Sequence, residues 1–186
     1  MSARPTLLVR PAVVSLLLVA ALLAACAGPA RRGRTRPGEA APPTPVEPLR
    51  LEEVAGAGDA TRRASTRLVL QGLDADAAAR PQEALRLYER SLQVDATNPW
   101  AYLALARYHA EEGTASLTFS YLDKAQELLG AQRARTPGVE PHLVGLRGEA
   151  LLAAGRSAEA APLLERARLL SPSVWADGHL SPSELR

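Results

Sequence analysis

Nine small residues, spaced alike three times, constrain this chain more than any other feature. Gly72, Ala84 and Ser91 are separated by 12 and 7 positions; Ala106, Thr118 and Ala125 repeat that spacing, and so do Gly148, Ala160 and Ala167. The second triad follows the first by 34 residues and the third follows the second by 42, which is 34 plus an insert of eight, Arg133 to Glu140. Two helices approach closely only where a side chain is nearly absent at their crossing. The spacing therefore predicts a helical hairpin repeated three times. The first small residue of each triad belongs to the first helix, and the other two lie two turns apart on one face of the second. A glycine inside a helix costs about 1 kcal/mol against alanine, so Gly72 and Gly148 at equivalent places indicate close packing.

Helix punctuation agrees with these hairpins. Asn98 before Pro99 is an N-cap with proline at the first helical position. Gly113 ends that helix, and Thr114 or Ser116 starts the next. Glu140 and Pro141 open a helix closed by Gly155, Ser157 caps the one after it, and Pro172 stops the last. Asp59 is a candidate cap for an early start of the first helix at Ala60. Apolar residues recur at helical spacing in Leu85, Tyr88, Leu92, in Tyr102, Leu105, Tyr108, and in Leu122, Ala125, Leu128. The predicted class is all-α.

The pattern resembles the tetratricopeptide repeat, whose signature places Leu-Gly in the first helix and Ala, an aromatic, Ala and Pro through the second. Gly72, Ala84, Tyr88 and Ser91 match in the first copy, with Ala96 where proline is usual. Tyr102, Leu105, Ala106, Leu122 and Ala125 match in the second, with Thr118 in place of alanine. Gly148, Gly155, Ala160, Leu164, Ala167 and Pro172 match in the third. The resemblance implies a solenoid of about three hairpins, over residues 65–98, 99–132 and 141–174. A leading segment, 51–64, precedes them, and the stretch Leu49 to Ala57, which overlaps its start, is apolar-acidic and suited to docking as a short element. A tail, 175–186, follows, whose Trp175 and Leu180 are placed to fold back over the last repeat, since stacked repeats need a cover on the terminal face.

The N-terminus reads as an address. Arg4 and Arg10 precede an uncharged run from Pro11 to Ala25, and Leu23, Ala24, Ala25 and Cys26 close it. A basic start, an apolar stretch and small residues make a secretory signal over residues 1–25, and the run is shorter than the roughly 20 residues that span a bilayer as a helix. The tetrapeptide ending in Cys26 resembles the bacterial lipoprotein lipobox, which implies a covalent lipid on Cys26 as the sole prosthetic group. Acylation contributes about 0.8 kcal/mol per buried CH₂. With Ala27 rather than Asp after the cysteine, the resemblance implies the periplasmic face of the outer membrane. Two other outcomes stand beside it: a cut after Ala27, at the A-x-A formed by Ala25 and Ala27, which would release the protein, and retention of the run as a short anchor. Residues 26–50 form a linker. Prolines 29, 37, 42, 43, 45 and 48 bar a helix, so a disordered, partly polyproline-like tether is predicted. Arg31, Arg32, Arg34 and Arg36 suit either anionic headgroups or simple solvation.

The whole chain of 186 residues carries 22 basic and 20 acidic residues, a net charge of +2 and a pI near 9.0. Such a balance invites a polyanion partner, but its distribution does not. Two arginines belong to the signal, five arginines against two glutamates to the linker, and 15 basic against 18 acidic residues to the remainder. The repeats are mildly acidic, so nucleic acid is not an expected partner. One cysteine excludes an internal disulfide framework and a multi-cysteine zinc site. His109, His142 and His179 stand in no ligand spacing, so no metal is expected. No HExxH, G-x-S-x-G or phosphate-binding glycine loop is present, and no catalytic role is expected.

Stacked hairpins curve, and the first helix of each lines the inner surface. The resemblance implies that this concave face takes a peptide or partner helix of another envelope protein. Matching the helix phase places Thr66, Val69, Leu73 and Asp76 there from the first copy. Trp100, Leu103, Arg107 and Glu111 come from the second, and His142, Gly145, Glu149 and Leu152 from the third. Trp100 lies one turn off the tyrosine stripe. It reads either as an exposed anchor beside Arg107 or as packed on the neighbouring hairpin. The expected function is a membrane-anchored periplasmic adaptor for envelope assembly. A pilotin-like assembly factor for a pilus secretin is the alternative, and an enzyme or small-ligand-binding lipoprotein a remote one.

Overall fold

Helix boundaries follow the local chemistry closely. The computed structural model describes residues 43–186; the signal, Cys26, the arginine cluster and the linker up to residue 42 lie outside the described residues. Among the described residues nine α-helices run in order: α1 (Leu51–Val54), α2 (Ala60–Ala77), α3 (Pro81–Val94), α4 (Pro99–Glu111), α5 (Ala115–Ala131), α6 (Glu140–Ala153), α7 (Ser157–Leu170), α8 (Pro172–Trp175) and α9 (Pro182–Leu185). A 3₁₀ turn, Pro137–Val139, precedes α6, and no strand occurs among the described residues. The fold is all-α and helical-repeat-like.

Asp59 accepts a hydrogen bond from the backbone N of Arg62 at 2.8 Å, so the first long helix starts at Ala60 rather than residue 65. Asn98 caps α4 by accepting from Trp100 N at 3.1 Å, with Pro99 at the first helical position. Gly113 and Gly155 turn the chain after α4 and α6 with φ of 69° and 74°, and Ala79 does the same after α2 with φ of 56°. These three turn residues share the 34 and 42 offsets of the triads. One cap differs from the sequence reading. Ser157 is the first residue of α7, and Arg156 occupies the N-cap position without a side-chain hydrogen bond.

The long helices pair as α2–α3, α4–α5 and α6–α7, while α2, α4 and α6 also pack against one another in series. All nine triad residues are buried. A Cβ on Gly72 would lie 2.3 Å from Tyr88 Cε1, and one on Gly148 would lie 2.8 Å from Leu164 Cδ2. Hydrogen there is thus a steric requirement of each crossing. Between the first two hairpins a buried polar knot replaces apolar contact. Asn98 Nδ2 donates to Ser65 Oγ at 2.8 Å and to Thr66 Oγ1 at 3.2 Å, and Ser65 Oγ lies 2.8 Å from Ser91 Oγ.

The eight-residue insert has a structural use. Leu49 N donates to Gly138 O at 3.0 Å, and a Cβ on Gly138 would meet Glu47 O at 2.6 Å. The insert is a ledge for the segment that precedes α1. That segment starts beside the last hairpin, where Val46 N donates to Leu170 O at 2.7 Å, and continues toward α1, which packs on α2. The C-terminal segment runs the same way, from α8, which packs on α7, to α9, which packs on α2. The two meet where Glu52 N donates to Arg186 O at 2.8 Å.

Candidate functional site

The face built by α2, α4 and α6 carries the twelve residues placed there by helix phase, and the segments 46–54 and 171–186 lie across it. Val69, Leu73 and Leu103 are wholly buried in the core. Thr66 is buried too, its hydroxyl donating to Arg62 O at 3.0 Å. Trp100 is 6% exposed, which corrects the reading of it as an exposed anchor. Its indole forms part of a half-open apolar cleft of about 230 Å³ with Leu49, Val54, Ala134 and the edges of Arg62 and Gln132. Of the four places in the third hairpin, His142 is wholly buried, Gly145 is buried, Glu149 is nearly so, and Leu152 is 46% exposed. An open concave groove was expected; the groove is filled because these residues present more apolar surface than water tolerates, and the two ends supply its cover.

The second hairpin contributes a buried ion pair. Arg107 is fully buried; one guanidinium nitrogen pairs with Asp76, and another donates to Glu111 Oε2 at 2.6 Å. Tyr88 donates its hydroxyl hydrogen to the same Asp76 oxygen at 3.3 Å. Burial raises the Asp76 pKa, against the pull of Arg107, and burial raises that of Tyr88 as well. These residues lie on α2, α3 and α4, so one polar cluster ties two hairpins together.

The third hairpin receives the ends. His142 Nε2 donates to Leu49 O at 2.9 Å, since the carbonyl oxygen can only accept, and burial lowers the His142 pKa. Gly145 forms a slot: a Cβ there would stand 2.3 Å from the Trp175 ring, and Trp175 is wholly buried. One turn on, the Glu149 carboxylate accepts from Leu180 N at 3.0 Å and lies 3.3 Å from His179 Nδ1. Burial pushes the Glu149 pKa up to about 7, despite the opposing influence of His179, the Leu180 amide and Arg107.

A pH dependence follows. The folded pKa of Glu149 lies above its ordinary value of 4.5, so its contribution is complete below that value and is lost as pH rises through about 7. His142 acts in the opposite sense, its contribution present above pH 6.5 and lost as pH falls through its lowered folded value. The Glu149 loss runs from pH 4.5 to about 7, and between pH 6.5, where the opposing His142 slope has ended, and about 7 it governs. The melting temperature is expected to fall over that interval, and Glu149→Gln, which keeps an acceptor for Leu180 N, is expected to flatten the slope in a circular-dichroism melt. An unchanged slope in the variant would remove Glu149 as its source.

Helix phase assigns these residues to α2, α4 and α6 but gives neither Gly145 as a slot, nor Leu49 as the His142 partner, nor the Asp76–Arg107 pair. The first had a signal: a glycine three residues before Gly148 on one helix, with a tryptophan downstream. No group of three or more His, Cys, Asp or Glu close enough to hold a metal occurs among the described residues, and none of their helices is long and apolar enough to cross a membrane. The chain matches no family model, no curated protein and no solved structure.

Proposed function

We propose that this chain is a lipid-anchored adaptor of the bacterial envelope, whose tetratricopeptide-like hairpins bind a segment of a partner protein on the face of α2, α4 and α6. The observation that carries this reading is that the face already holds polypeptide in two ways. An extended strand-like strap is held through main-chain contacts at Leu49 with Gly138 and His142. A second segment is held through an indole seated on Gly145 and a backbone amide on Glu149. Backbone acceptors and donors joined to side-chain slots are the elements of peptide recognition. The lipobox-like ending at Cys26 and the proline-rich linker support an anchored placement, the solenoid reading resting on the repeated spacing and the serial packing of α2, α4 and α6.

The test is in-cell photocrosslinking from Glu111, which keeps 46% exposure at the rim of the face, compared with Glu165 on the outer helix α7, which keeps 56%. A defined envelope protein captured from Glu111 and not from Glu165 is the expected result. Equal capture from both, or none, would remove the adaptor reading. Metabolic labelling with palmitate tests the anchor separately, with label expected on the chain and lost in Cys26→Ser.

A further inference from the structure

We propose that the C-terminal segment Ser171–Arg186 is a resident ligand of the face, displaced when a partner binds. The partner segment would then carry the tail's own pattern: a bulky aromatic, a leucine five residues on, a second leucine five further, and a cation after it. This rests on the adaptor reading above.

Three wholly buried side chains, Trp175, Leu180 and Leu185, hold the tail at even intervals of five residues. Each meets a different part of the molecule. The indole sits on Gly145 of the third hairpin, the Leu180 amide donates to Glu149 one turn further along α6, and α9 with Leu185 packs on α2 of the first hairpin. Between the first two anchors the chain is irregular: Ala176 and Asp177 are exposed and Gly178 has φ of 81°, and the capped helix α9 follows Leu180. Charge is complementary along the same line. Arg186 lies 2.5 Å from both Glu52 and Asp74, the Asp74 contact being ionic without hydrogen-bond alignment, and the His179 ring lies 3.3 Å from Glu149 as a polar neighbour. The face therefore selects a segment with spaced apolar anchors and positive charge near its end.

The docked tail also carries unfavourable features that favour release. Among the described residues, five buried side-chain polar atoms lack a hydrogen-bond partner, and three belong to the tail: Ser171 Oγ, Trp175 Nε1 and Arg186 Nε. A fourth, His142 Nδ1, lies on the same face. Ser171 Oγ, Trp175 Nε1 and His142 Nδ1 forfeit the bonds they would make in water, whereas Arg186 Nε keeps the Asp74 carboxylate at 2.5 Å. The crossings at Gly72 and Gly148 are packed by Tyr88 and Leu164 of the hairpins themselves, while Trp175, Leu180 and Leu185 join the core from the side of the face. Low-stability segments that open without global unfolding have this combination of few anchors and irregular backbone.

Amide hydrogen exchange on the unaltered full chain tests the release. The amides of Leu180, Leu185 and Arg186 are expected to exchange at least about tenfold faster than those of Leu105 and Leu122 in the hairpin helices. Equal rates would mean that the tail opens only when the whole chain unfolds, and would overturn the proposal. The second arm uses a fluorescently labelled synthetic peptide of residues 171–186. It is expected to bind the full-length Trp175→Ala/Leu180→Ala variant at least about tenfold more tightly than the unaltered chain, whose face is occupied. The same peptide with alanine at its tryptophan position is expected not to bind. A variant that stays helical by circular dichroism yet ignores the peptide overturns the proposal, and so does a variant that unfolds, because the tail is then integral to the core. Both arms use the chain's own peptide in vitro, so their outcome is separate from whether crosslinking in cells finds a partner.

Discussion

Replacing Arg107 with methionine is expected to lower the unfolding free energy by about 3–5 kcal/mol, the cost of leaving a buried charge without its partner. Arg107 is fully buried and the Asp76 side chain is only 7% exposed, whereas Glu111, at 46%, reaches water. The loss therefore falls on Asp76. Its pKa is already raised by burial with the guanidinium beside it, and removal of that cation drives it further toward the neutral form. Adding Asp76→Asn to the Arg107→Met background is expected to recover part of the loss, since a neutral amide replaces the stranded carboxylate. Urea denaturation at pH 7 measures all three chains. A loss under about 1 kcal/mol for Arg107→Met would show that the pair contributes no more than an exposed one.

Tyr88→Ala is expected to cost a similar amount, about 3–5 kcal/mol, for a different reason. The ring is wholly buried, lies over Gly72 where no Cβ fits, and meets Tyr108 edge-to-face at 6.3 Å. Truncation leaves a cavity bounded by rigid helix backbone on the Gly72 side, so the surroundings have little means of collapsing into it. Tyr88→Phe removes only the hydroxyl's bond to Asp76 and is expected to cost about 1 kcal/mol. The substitution is coupled to the first one through Asp76, so their effects are expected not to add. If Tyr88→Ala were as mild as Tyr88→Phe, the close crossing of α2 and α3 would not depend on this ring.

Both predictions concern positions that were visible in the sequence, though not equally. Gly72 and Tyr88 stand at repeated spacings, and repeated spacing reports which side chains meet across a hairpin whose helices are joined by a short turn. Arg107 was assigned to the correct face by helix phase, but its partner Asp76 lies 31 residues away in a different hairpin. Helix phase says which way a residue points, not what stands opposite. The same distinction separates Trp100 as an expected anchor from Trp100 as found, 6% exposed beside Leu49 and Val54 of the leading segment.

The hairpins, their caps and the small residues at their crossings are encoded over a few turns of helix, where spacing, capping chemistry and steric fit act between near neighbours. The filling of the face is a contact of another range. His142 meets Leu49 across 93 positions and Arg186 meets Glu52 across 134. No periodicity spans such separations, and the strap and tail have too few residues to announce a docking surface of their own. Their positions follow from the apolar slots that three stacked first helices create together. Those slots exist only once the hairpins have assembled, and that is why the order of residues marks Leu49 to Ala57, Trp175 and Leu180 as docking elements but not the face that they cover.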